Sequence, residues 1–189
     1  MKNTYVSRKK FFKEFMKPVK NNIGAVAPSS KHLVKKMIDP IDFSKVKCIV
    51  EFGPGTGNIT HELLNRMPAD AVLIVFEINK EFCDRLEEIH DSRIRIISDS
   101  AENLEEYLMK NNIEKVDYIV SSLPFSIIPN SIVRSILSTV KRTLLPKGAF
   151  IQYQYSLNAY FKLKNTFKKV DLDFTPINLP PAFIFTCTN

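Results

Sequence analysis

The sequence predicts an α/β fold in which a mostly parallel sheet carries helices on both faces. Two observations support this prediction. Short β-branched and apolar segments alternate with amphipathic segments of helical length, which is the order that parallel strands joined by helical crossovers require. The last two strand segments follow each other with no helix between them, which predicts one antiparallel strand near the C-terminus. A chain of 189 residues is long enough for one well-buried domain, which we assign to residues 21–189.

Each element of this fold has a local signal in the sequence. Ser29 or Ser30 can cap a first helix over residues 31–38, which Asp39-Pro40 ends. Apolar or β-branched runs predict strands over residues 48–52, 71–76, 93–97, 116–121, 149–155, 170–174 and 183–188. Helical periodicity predicts further helices over residues 59–67, 80–89, 101–110, 130–145 and 159–164. We expect Pro146-Lys147-Gly148 to stop the longest of these helices.

The loop after the first predicted strand is the segment most informative about function. Glu51 and Phe52 lead into glycines at every second position, Gly53, Gly55 and Gly57, and a predicted helix follows at once. Glycines allow positive φ and let a ligand contact bare backbone, while free N–H groups at a helix start favour negative charge. The spacing differs from the G-x-G-x-x-G of dinucleotide loops, and no Lys-Ser or Lys-Thr follows as in a phosphate loop. The loop therefore predicts a small-molecule site of another kind.

Acidic residues end the next two predicted strands. Glu77 follows the second strand and Asp99 the third, and ligand contacts in such sheets come from the carboxyl ends of strands. Each position also has a purely structural interpretation. Glu77 could cap a surface helix, and Ser100, next to Asp99, could cap the helix that follows it.

With its leading glutamate, the stretch from Cys48 to Asn58 resembles motif I of the class I S-adenosylmethionine-dependent methyltransferases. This resemblance implies a Rossmann-like, seven-stranded sheet and S-adenosylmethionine as the cofactor. Glu51 would orient the glycine loop or the cofactor's amino group, Glu77 would take the ribose hydroxyls, and Asp99 would accept the adenine amino group. The cofactor-binding residues that the resemblance implies are Glu51, Gly53, Gly55, Gly57, Asn58, Glu77, Ile78 (beneath the adenine), Asp99, Ser100 and Ser121.

The fourth predicted strand ends in Ser121-Ser122-Leu123-Pro124-Phe125, which resembles the Asn-Leu-Pro-Tyr motif of amino-group methyltransferases, including RNA adenine dimethylases. In those enzymes the asparagine side chain and a backbone carbonyl accept hydrogen bonds from the target amine, and the aromatic ring stacks on the base. Here Ser121-Ser122 stands where the asparagine would be. A serine is shorter than an asparagine, which weighs against an adenine substrate.

A second family resembles the chain over nearly its whole length. Residues 11–18, 23–30, 51–57, 121–124, 152–155 and 178–182 carry this resemblance. They are similar to the bacterial phospholipid N-methyltransferases that convert phosphatidylethanolamine toward phosphatidylcholine, which are single domains with a basic amphipathic N-terminal helix. The segment Tyr155-Ser156-Leu157 lacks the Gly-Pro expected in that family, which leaves the head group open.

The lipid resemblance also implies which residues meet the substrate. Ser121, the Leu123 carbonyl, and Tyr153 or Tyr155 would orient the amine. Phe125 and the two tyrosines would face the growing ammonium through cation–π attraction. Ordinary sheet packing is the alternative for each tyrosine.

The positive charge of the chain is concentrated at its N-terminus. Residues 1–20 hold seven Lys or Arg and one acidic residue, which accounts for +6 of the net charge of +7. At about 100° per residue, Phe11, Phe12 and Phe15 share an arc of roughly 140° beside a lysine row that includes Lys9 and Lys13. This pattern predicts a helix lying in the interface of an anionic membrane. The alternative is that the phenylalanines pack against the protein's own body.

Composition narrows the remaining choices. No apolar run approaches the roughly 20 residues of a membrane span, and the N-terminus lacks the apolar core of a signal peptide, so we expect a cytoplasmic protein peripheral to the inner face of the membrane. Three scattered cysteines and three scattered histidines predict buried free thiols and no metal site.

Three functions are compatible with these observations. The first is a phospholipid N-methyltransferase. The second is an RNA adenine N6-methyltransferase, against which the substituted asparagine and the lack of a C-terminal helical domain weigh. The third is a non-catalytic, membrane-attached cofactor-binding protein, against which the intact glycine loop with Glu77 weighs.

Overall fold

The computed structural model describes residues 30–189. The predicted N-terminal helix lies outside the described residues, and so do Phe11, Phe12, Phe15, Lys9 and Lys13. The membrane roles of these side chains therefore stay predictions.

The described chain alternates strands and helices as the sequence predicts. The helices are α1 (Lys31–Ile38), α2 (Asn58–Arg66), α3 (Lys80–Glu87), α4 (Leu104–Lys110), α5 (Asn130–Thr143) and α6 (Tyr160–Lys164). The strands are β1 (Cys48–Phe52), β2 (Val72–Phe76), β3 (Ile94–Ile97), β4 (Val116–Ser121), β5 (Leu144–Gln154), β6 (Lys169–Thr175) and β7 (Ala182–Thr188). Short 3₁₀ turns at Ala101–Asn103 and Leu157–Ala159 lead into α4 and α6. None of the helices described is long and apolar enough to cross a bilayer.

All seven strands form one sheet in the order β3-β2-β1-β4-β5-β7-β6. The pairs among β1 to β5 are parallel, whereas β7 runs antiparallel to both β5 and β6. The predicted α/β fold, with seven strands and one antiparallel strand near the C-terminus, is confirmed. The strand order reverses between β1 and β4, and a ligand in such a sheet binds outside the carboxyl ends of the strands near that reversal.

Helices cover both faces of the sheet. Because successive side chains of a strand point to opposite faces, one strand can contribute to two cores. In β1, Val50 and Phe52 pack in a core with the helices α4, α5 and α6, while Ile49 packs in a second core with α1, α2 and α3. The three cysteines are free and buried, as predicted. The helices leave the carboxyl edge of the sheet to the loops.

The longest helix ends earlier than predicted. We expected it to continue to residue 145, but α5 ends at Thr143 and β5 begins directly at Leu144. Pro146-Lys147-Gly148 lies inside β5 as an irregularity, because the pairing with β4 jumps from Val116–Leu144 to Tyr118–Ala149. A Cβ on Gly148 would lie 2.4 Å from a backbone oxygen of β4, so only glycine fits there. Sheet pairing, and not the proline, ends the helix.

Candidate active site

The carboxyl ends of β1 to β4 are joined into one continuous edge by backbone hydrogen bonds. The Gly53 N–H donates to the Phe76 carbonyl (2.9 Å), and the Ser122 N–H donates to the Phe52 carbonyl (2.9 Å). The Glu77 N–H donates to the carbonyl at the end of β3 (3.1 Å). The structure therefore brings the glycine loop, Glu77 and the Ser121 turn together, as the sequence predicts.

All three glycines of the loop adopt positive φ, at 64° for Gly53, 55° for Gly55 and 81° for Gly57. A Cβ on Gly53 would lie 3.1 Å from a Leu123 methyl carbon, and one on Gly57 would lie 3.2 Å from a Leu86 methyl carbon. A Cβ on Gly55 would meet no atom within 4 Å. Gly53 and Gly57 are therefore closely packed and also hold a backbone conformation that favours glycine, whereas Gly55 faces open space in which a ligand can approach the backbone.

Glu51 is a fully buried carboxylate that is only half satisfied. The Thr60 hydroxyl donates to its Oε2 (2.7 Å), while Oε1 is buried and has no hydrogen-bond partner among the described residues. Burial raises the pKa of Glu51 to about 8, the Thr60 bond opposes this shift, and the nearby Glu77 adds to it. A buried acceptor without a donor is costly, and a cationic group placed beside it would remove that cost.

Glu77 is buried beside the open side of the glycine loop. Its Oε1 accepts from the Asn79 N–H (2.8 Å), and its Oε2 makes a long contact with the Gly55 N–H (3.4 Å). Burial raises its pKa, and the backbone bonds from Asn79 and Gly55 partly offset the effect. The side chain is thus held in the edge as a carboxylate acceptor and does not cap a surface helix. Its ribose contact, and that of the half-buried Ile78 with adenine, stay predictions.

Asp99 and Ser100 are occupied by local hydrogen bonds. Both carboxylate oxygens of Asp99 accept from the Asn103 side-chain amide (3.0 and 2.9 Å). The Ser100 Oγ accepts from the Glu102 N–H (3.3 Å) and caps the 3₁₀ turn, as its structural interpretation predicts. An adenine contact at Asp99 would have to share these oxygens with Asn103.

The turn after β4 holds the greatest difference from the predicted site. Ser121 is fully buried, and its Oγ accepts from the Leu123 N–H (3.3 Å). The Leu123 carbonyl, expected to accept the substrate amine, accepts from the side-chain amides of Gln152 (3.1 Å) and Gln154 (2.7 Å). Both lone pairs of this carbonyl are therefore already in use in this structure.

Of the three aromatic residues predicted to meet the substrate, Phe125 and Tyr153 are buried and Tyr155 is half-buried. The Phe125 ring is 2% exposed and lies in the core between the sheet and α5, so it offers no face to a cation in this structure. Tyr153 is 7% exposed and packs edge-to-face against Tyr155, with ring centroids 5.6 Å apart. Burial, and then the neighbouring Tyr153, raise the pKa of Tyr155. The burial of Phe125 disagrees with its predicted cation–π contact, whereas the substrate roles of Tyr153 and Tyr155 stay predictions.

Strand alternation explains why the Leu123 carbonyl contacts glutamines and not the tyrosines beside them. Along β5 and into Tyr155, which follows it, Gln152 and Gln154 point to one face of the sheet, and Tyr153 and Tyr155 point to the other. Sequence reasoning missed both glutamines, because their contact with the turn after β4 depends on the register of β5 against β4.

Gln152 carries a second unusual feature. Its amide nitrogen donates to both the Leu123 carbonyl and the Tyr153 carbonyl (2.6 Å), which uses both of its hydrogens. Its Oε1 is buried, with no hydrogen-bond partner in the part of the chain that the structure describes. The oxygen is held within a few ångströms of the Leu123 carbonyl, since it is bonded to the same amide group.

No group of three or more His, Cys, Asp or Glu side chains in residues 30–189 is arranged to hold a metal ion. Two cavities of about 320 and 450 Å³ occur away from the edge, one against α1 and β6 and the other between α4 and α5. The edge of the sheet is thus the place where acceptors, glycines and buried carboxylates converge.

Residues 28–167 match the family model described as ribosomal RNA adenine dimethylase. The chain is 31% identical to the ornithine lipid N-methyltransferase of Singulisphaera acidiphila over 190 residues, which covers 99% of this chain and 96% of that protein. It is 33% identical to the ribosomal RNA small subunit methyltransferase A of a Sulfurihydrogenibium species over 110 residues, which covers 57% of this chain and 42% of that protein.

Solved structures share the fold at low identity. A precorrin-6y C5,15-methyltransferase from Geobacter metallireducens superposes with a TM-score of 0.67 at 13% identity, covering 88% of this chain and 92% of that chain. Human methyltransferase-like protein 13 in complex with SAH superposes with a TM-score of 0.65 at 17% identity, covering 84% and 82% of the two chains. At these identities the likeness concerns the fold alone.

Proposed function

Because the chain belongs to the ribosomal RNA adenine dimethylase family of S-adenosylmethionine-dependent methyltransferases, we propose that it methylates the amine of a lipid. The acceptor we propose is phosphatidylethanolamine or a similar amine-bearing phospholipid. The observation that carries this proposal is the end-to-end match, over 99% of this chain and 96% of the other, to an ornithine lipid N-methyltransferase. The match to a ribosomal RNA methyltransferase covers only 42% of that relative.

The residues at the edge of the sheet fit S-adenosylmethionine. The unpaired Oε1 of Glu51 is an acceptor for the cofactor's amino group, and the open side of Gly55 leaves room for a ligand against the backbone. Glu77, beside that space, would accept from the ribose hydroxyls. The cofactor supplies a methyl group on a positively charged sulfur, which is already electrophilic. The protein must therefore align a neutral amine and exclude water.

We assign the alignment of the amine to the turn after β4 and to β5. Gln152 and Gln154 hold the Leu123 carbonyl in place, and the unpaired Oε1 of Gln152 would accept an N–H of the amine. Ser121 has the supporting role of fixing the turn through the Leu123 N–H. Because the acceptor is buried, the amine must lose its water to reach it, which also leaves its lone pair unhydrated for attack.

The proposed site of action is the inner, cytoplasmic surface of the membrane. The excess of basic residues within residues 1–20, interleaved with phenylalanines, suits adsorption to anionic lipid at about 1 kcal/mol per basic residue near the surface. Deleting residues 1–17 should weaken binding to anionic vesicles and leave cofactor affinity nearly unchanged. Unchanged vesicle binding would mean that this segment packs on the protein body.

An RNA adenine methyltransferase is the second candidate, since the family model and a relative named for ribosomal RNA both match. One observation disfavours it. The Phe125 ring is buried and cannot stack on a base without rearranging the core.

One assay separates these functions. Purified full-length protein is incubated with S-adenosylmethionine labelled in the methyl group and with vesicles containing phosphatidylethanolamine, vesicles containing ornithine lipid, or ribosomal RNA. We expect label in the lipid extract, with phosphatidylethanolamine as the better acceptor. Label only in RNA would overturn the lipid proposal. If no acceptor is labelled by protein that does bind S-adenosylhomocysteine in a separate measurement, a non-catalytic cofactor-binding protein would be favoured.

A further inference from the structure

The turn between β6 and β7 lies at the same edge of the sheet as the candidate active site. Because β7 is antiparallel to β5, its beginning pairs with the end of β5, as the Gln154–Phe183 pair shows. Phe183 also pairs with Phe174 near the end of β6. Residues 176–181 therefore project from the carboxyl edge, next to the strand that carries Gln152 and Gln154.

This turn presents two apolar side chains to solvent. Ile177 is 63% exposed and Leu179 is 84% exposed, while Asn178 between them is 4% exposed. From Thr175 to Ala182 the chain has no charged residue, so placing the turn in a nonpolar environment would desolvate no charge. Two exposed apolar side chains close together at one turn tip favour a surface that is covered in use.

Asn178 fixes the turn to the rest of the domain. Its amide nitrogen donates to the Pro180 carbonyl (2.8 Å), and its side-chain oxygen accepts from the Ser30 N–H (3.0 Å). Ile177 and Leu179 flank this buried residue and point outward. The two apolar tips are thus held in place, and docking them would order little additional chain.

The same hydrogen bond places the N-terminus of α1 at the turn. This helix has the sequence KHLVKKMI, without an acidic residue, and Lys31 and Lys35 are exposed. Lys36 is paired with Asp173 of β6 (2.5 Å), so that acid is neutralised locally. A positive helix beside two apolar tips complements a surface that is apolar inside and anionic at its rim, which is the chemistry of an anionic bilayer.

We propose that the β6–β7 turn is a membrane-docking element. Ile177 and Leu179 enter the interface of an anionic bilayer, and Lys31 and Lys35 contact lipid phosphates. Docking through this turn brings the carboxyl edge, with the Leu123 carbonyl and Gln152, against the head groups. The inference rests on the proposed lipid substrate, and it concerns residues other than those of the basic segment 1–20.

The absence of tryptophan in the sequence allows a direct test of insertion. In full-length protein, Leu179→Trp adds a single reporter at the tip. Met109→Trp adds one at another highly exposed site (74%), near the end of α4, which leads into the opposite edge of the sheet. With vesicles of phosphatidylcholine and phosphatidylglycerol in equal parts, we expect a blue-shifted emission and quenching by brominated lipid for the reporter at position 179 only. Equal responses at both positions, or none at 179, would overturn the proposal.

Two further variants measure the contributions separately. Ile177→Ser combined with Leu179→Ser should weaken co-sedimentation with these vesicles by about tenfold or more, whereas Met109→Ser should not. Lys31→Ser combined with Lys35→Ser should cost about fivefold per lysine on anionic vesicles and little on pure phosphatidylcholine. Affinity for S-adenosylhomocysteine should stay unchanged in all of them, which shows that the fold is intact.

The outcomes distinguish this inference from the proposed function. If the wild type methylates lipid but the turn variants bind vesicles as it does, the docking element is wrong and the lipid substrate stands. If the wild type methylates no lipid, the proposed function fails whatever the vesicles show. If the turn variants change the sedimentation coefficient of the free protein but not its vesicle binding, the turn contacts a second copy of the chain, and the proposal is wrong.

Discussion

The unpaired oxygen of Glu51 leads to a quantitative prediction for the substitution Glu51→Gln. Burial raises the pKa of this carboxyl from 4.5 to about 8. Between these values the folded protein holds a proton that the unfolded chain has lost, so the stabilising contribution of the protonated carboxyl is complete below pH ~4.5 and disappears as the pH rises through ~8. The difference corresponds to at most about 5 kcal/mol, of which about 3 kcal/mol has been lost at pH ~7.

Glutamine keeps the acceptor for the Thr60 hydroxyl but cannot ionise. We therefore expect the ligand-free variant to be more stable than the wild type near pH ~8 by about 3–5 kcal/mol, which raises the melting temperature by about 6–20 °C for a chain of this size. Near pH ~5 the two proteins should melt within a few degrees of each other. The same substitution should weaken S-adenosylhomocysteine binding by about tenfold to a hundredfold, because the cofactor's ammonium loses a charged acceptor.

Two measurements check this reasoning. Thermal unfolding of both proteins from pH ~5 to pH ~9 gives the difference in stability, with Glu62→Gln, an exposed carboxylate paired to Arg66 at 2.8 Å, as the matched control. Calorimetry in two buffers of different ionisation enthalpy counts the protons released when S-adenosylhomocysteine binds. We expect release below pH ~8 for the wild type and none for Glu51→Gln. Parallel melting curves across the pH range, or binding without proton release in the wild type, would refute the assignment of Glu51.

Five other substitutions test the rest of the site. Glu77→Gln should weaken S-adenosylhomocysteine binding in calorimetry by about tenfold to a hundredfold without lowering stability, and full affinity in this variant would exclude the ribose contact. Gly53→Ala should cost about 1–3 kcal/mol in chemical denaturation, whereas Gly55→Ala should cost about 1 kcal/mol and lower cofactor affinity more; the reverse order would contradict the open side of the loop. Gln152→Met should slow methylation of a primary-amine lipid by about tenfold or more. Methylation of an N,N-dimethylated lipid should slow less, because a neutral tertiary amine has no N–H to donate. Gln154→Met should slow methylation of both lipids equally. Equal losses on the two lipids for Gln152→Met would show that its oxygen does not contact the amine.

The fold could be predicted because each of its determinants is local. Strand segments of buried apolar residues, the Ser30 cap of α1 and the glycine turn before α2 can all be identified without knowing what they pack against. The boundary between α5 and β5 could not, because it depends on the pairing of Leu144 with Val116 across the sheet. Helix-stop residues predicted a loop at Pro146, and a tertiary contact overrode them.

The convergence of the glycine loop and Glu77 could be predicted for the same reason, and the partners of the Leu123 carbonyl could not. Gly53, Gly55, Gly57 and Glu77 follow directly from strand ends, and the structure brings them together. The partners of the Leu123 carbonyl are set by which face of β5 each side chain occupies and by the register of β5 against β4, which pairs Gln152 with Ser121. Neither the face nor the register is readable from a run of four polar residues.

The register of β5 against β4 also bears on what the enzyme methylates. A site that methylates a base, as in the amino-group methyltransferases with the Asn-Leu-Pro-Tyr motif, needs an acceptor and a stacking ring on the same turn. The acceptor holds the edge of the planar base, and the ring holds its face. Here the ring of Phe125 is in the core, and the unpaired acceptor, Gln152 Oε1, lies on the neighbouring strand. Such an arrangement can orient an N–H group, but it has no exposed ring on which a planar base could stack. It suits an amine on a flexible chain, whose other end is held elsewhere, and a bilayer docked at the carboxyl edge is a surface that can hold it.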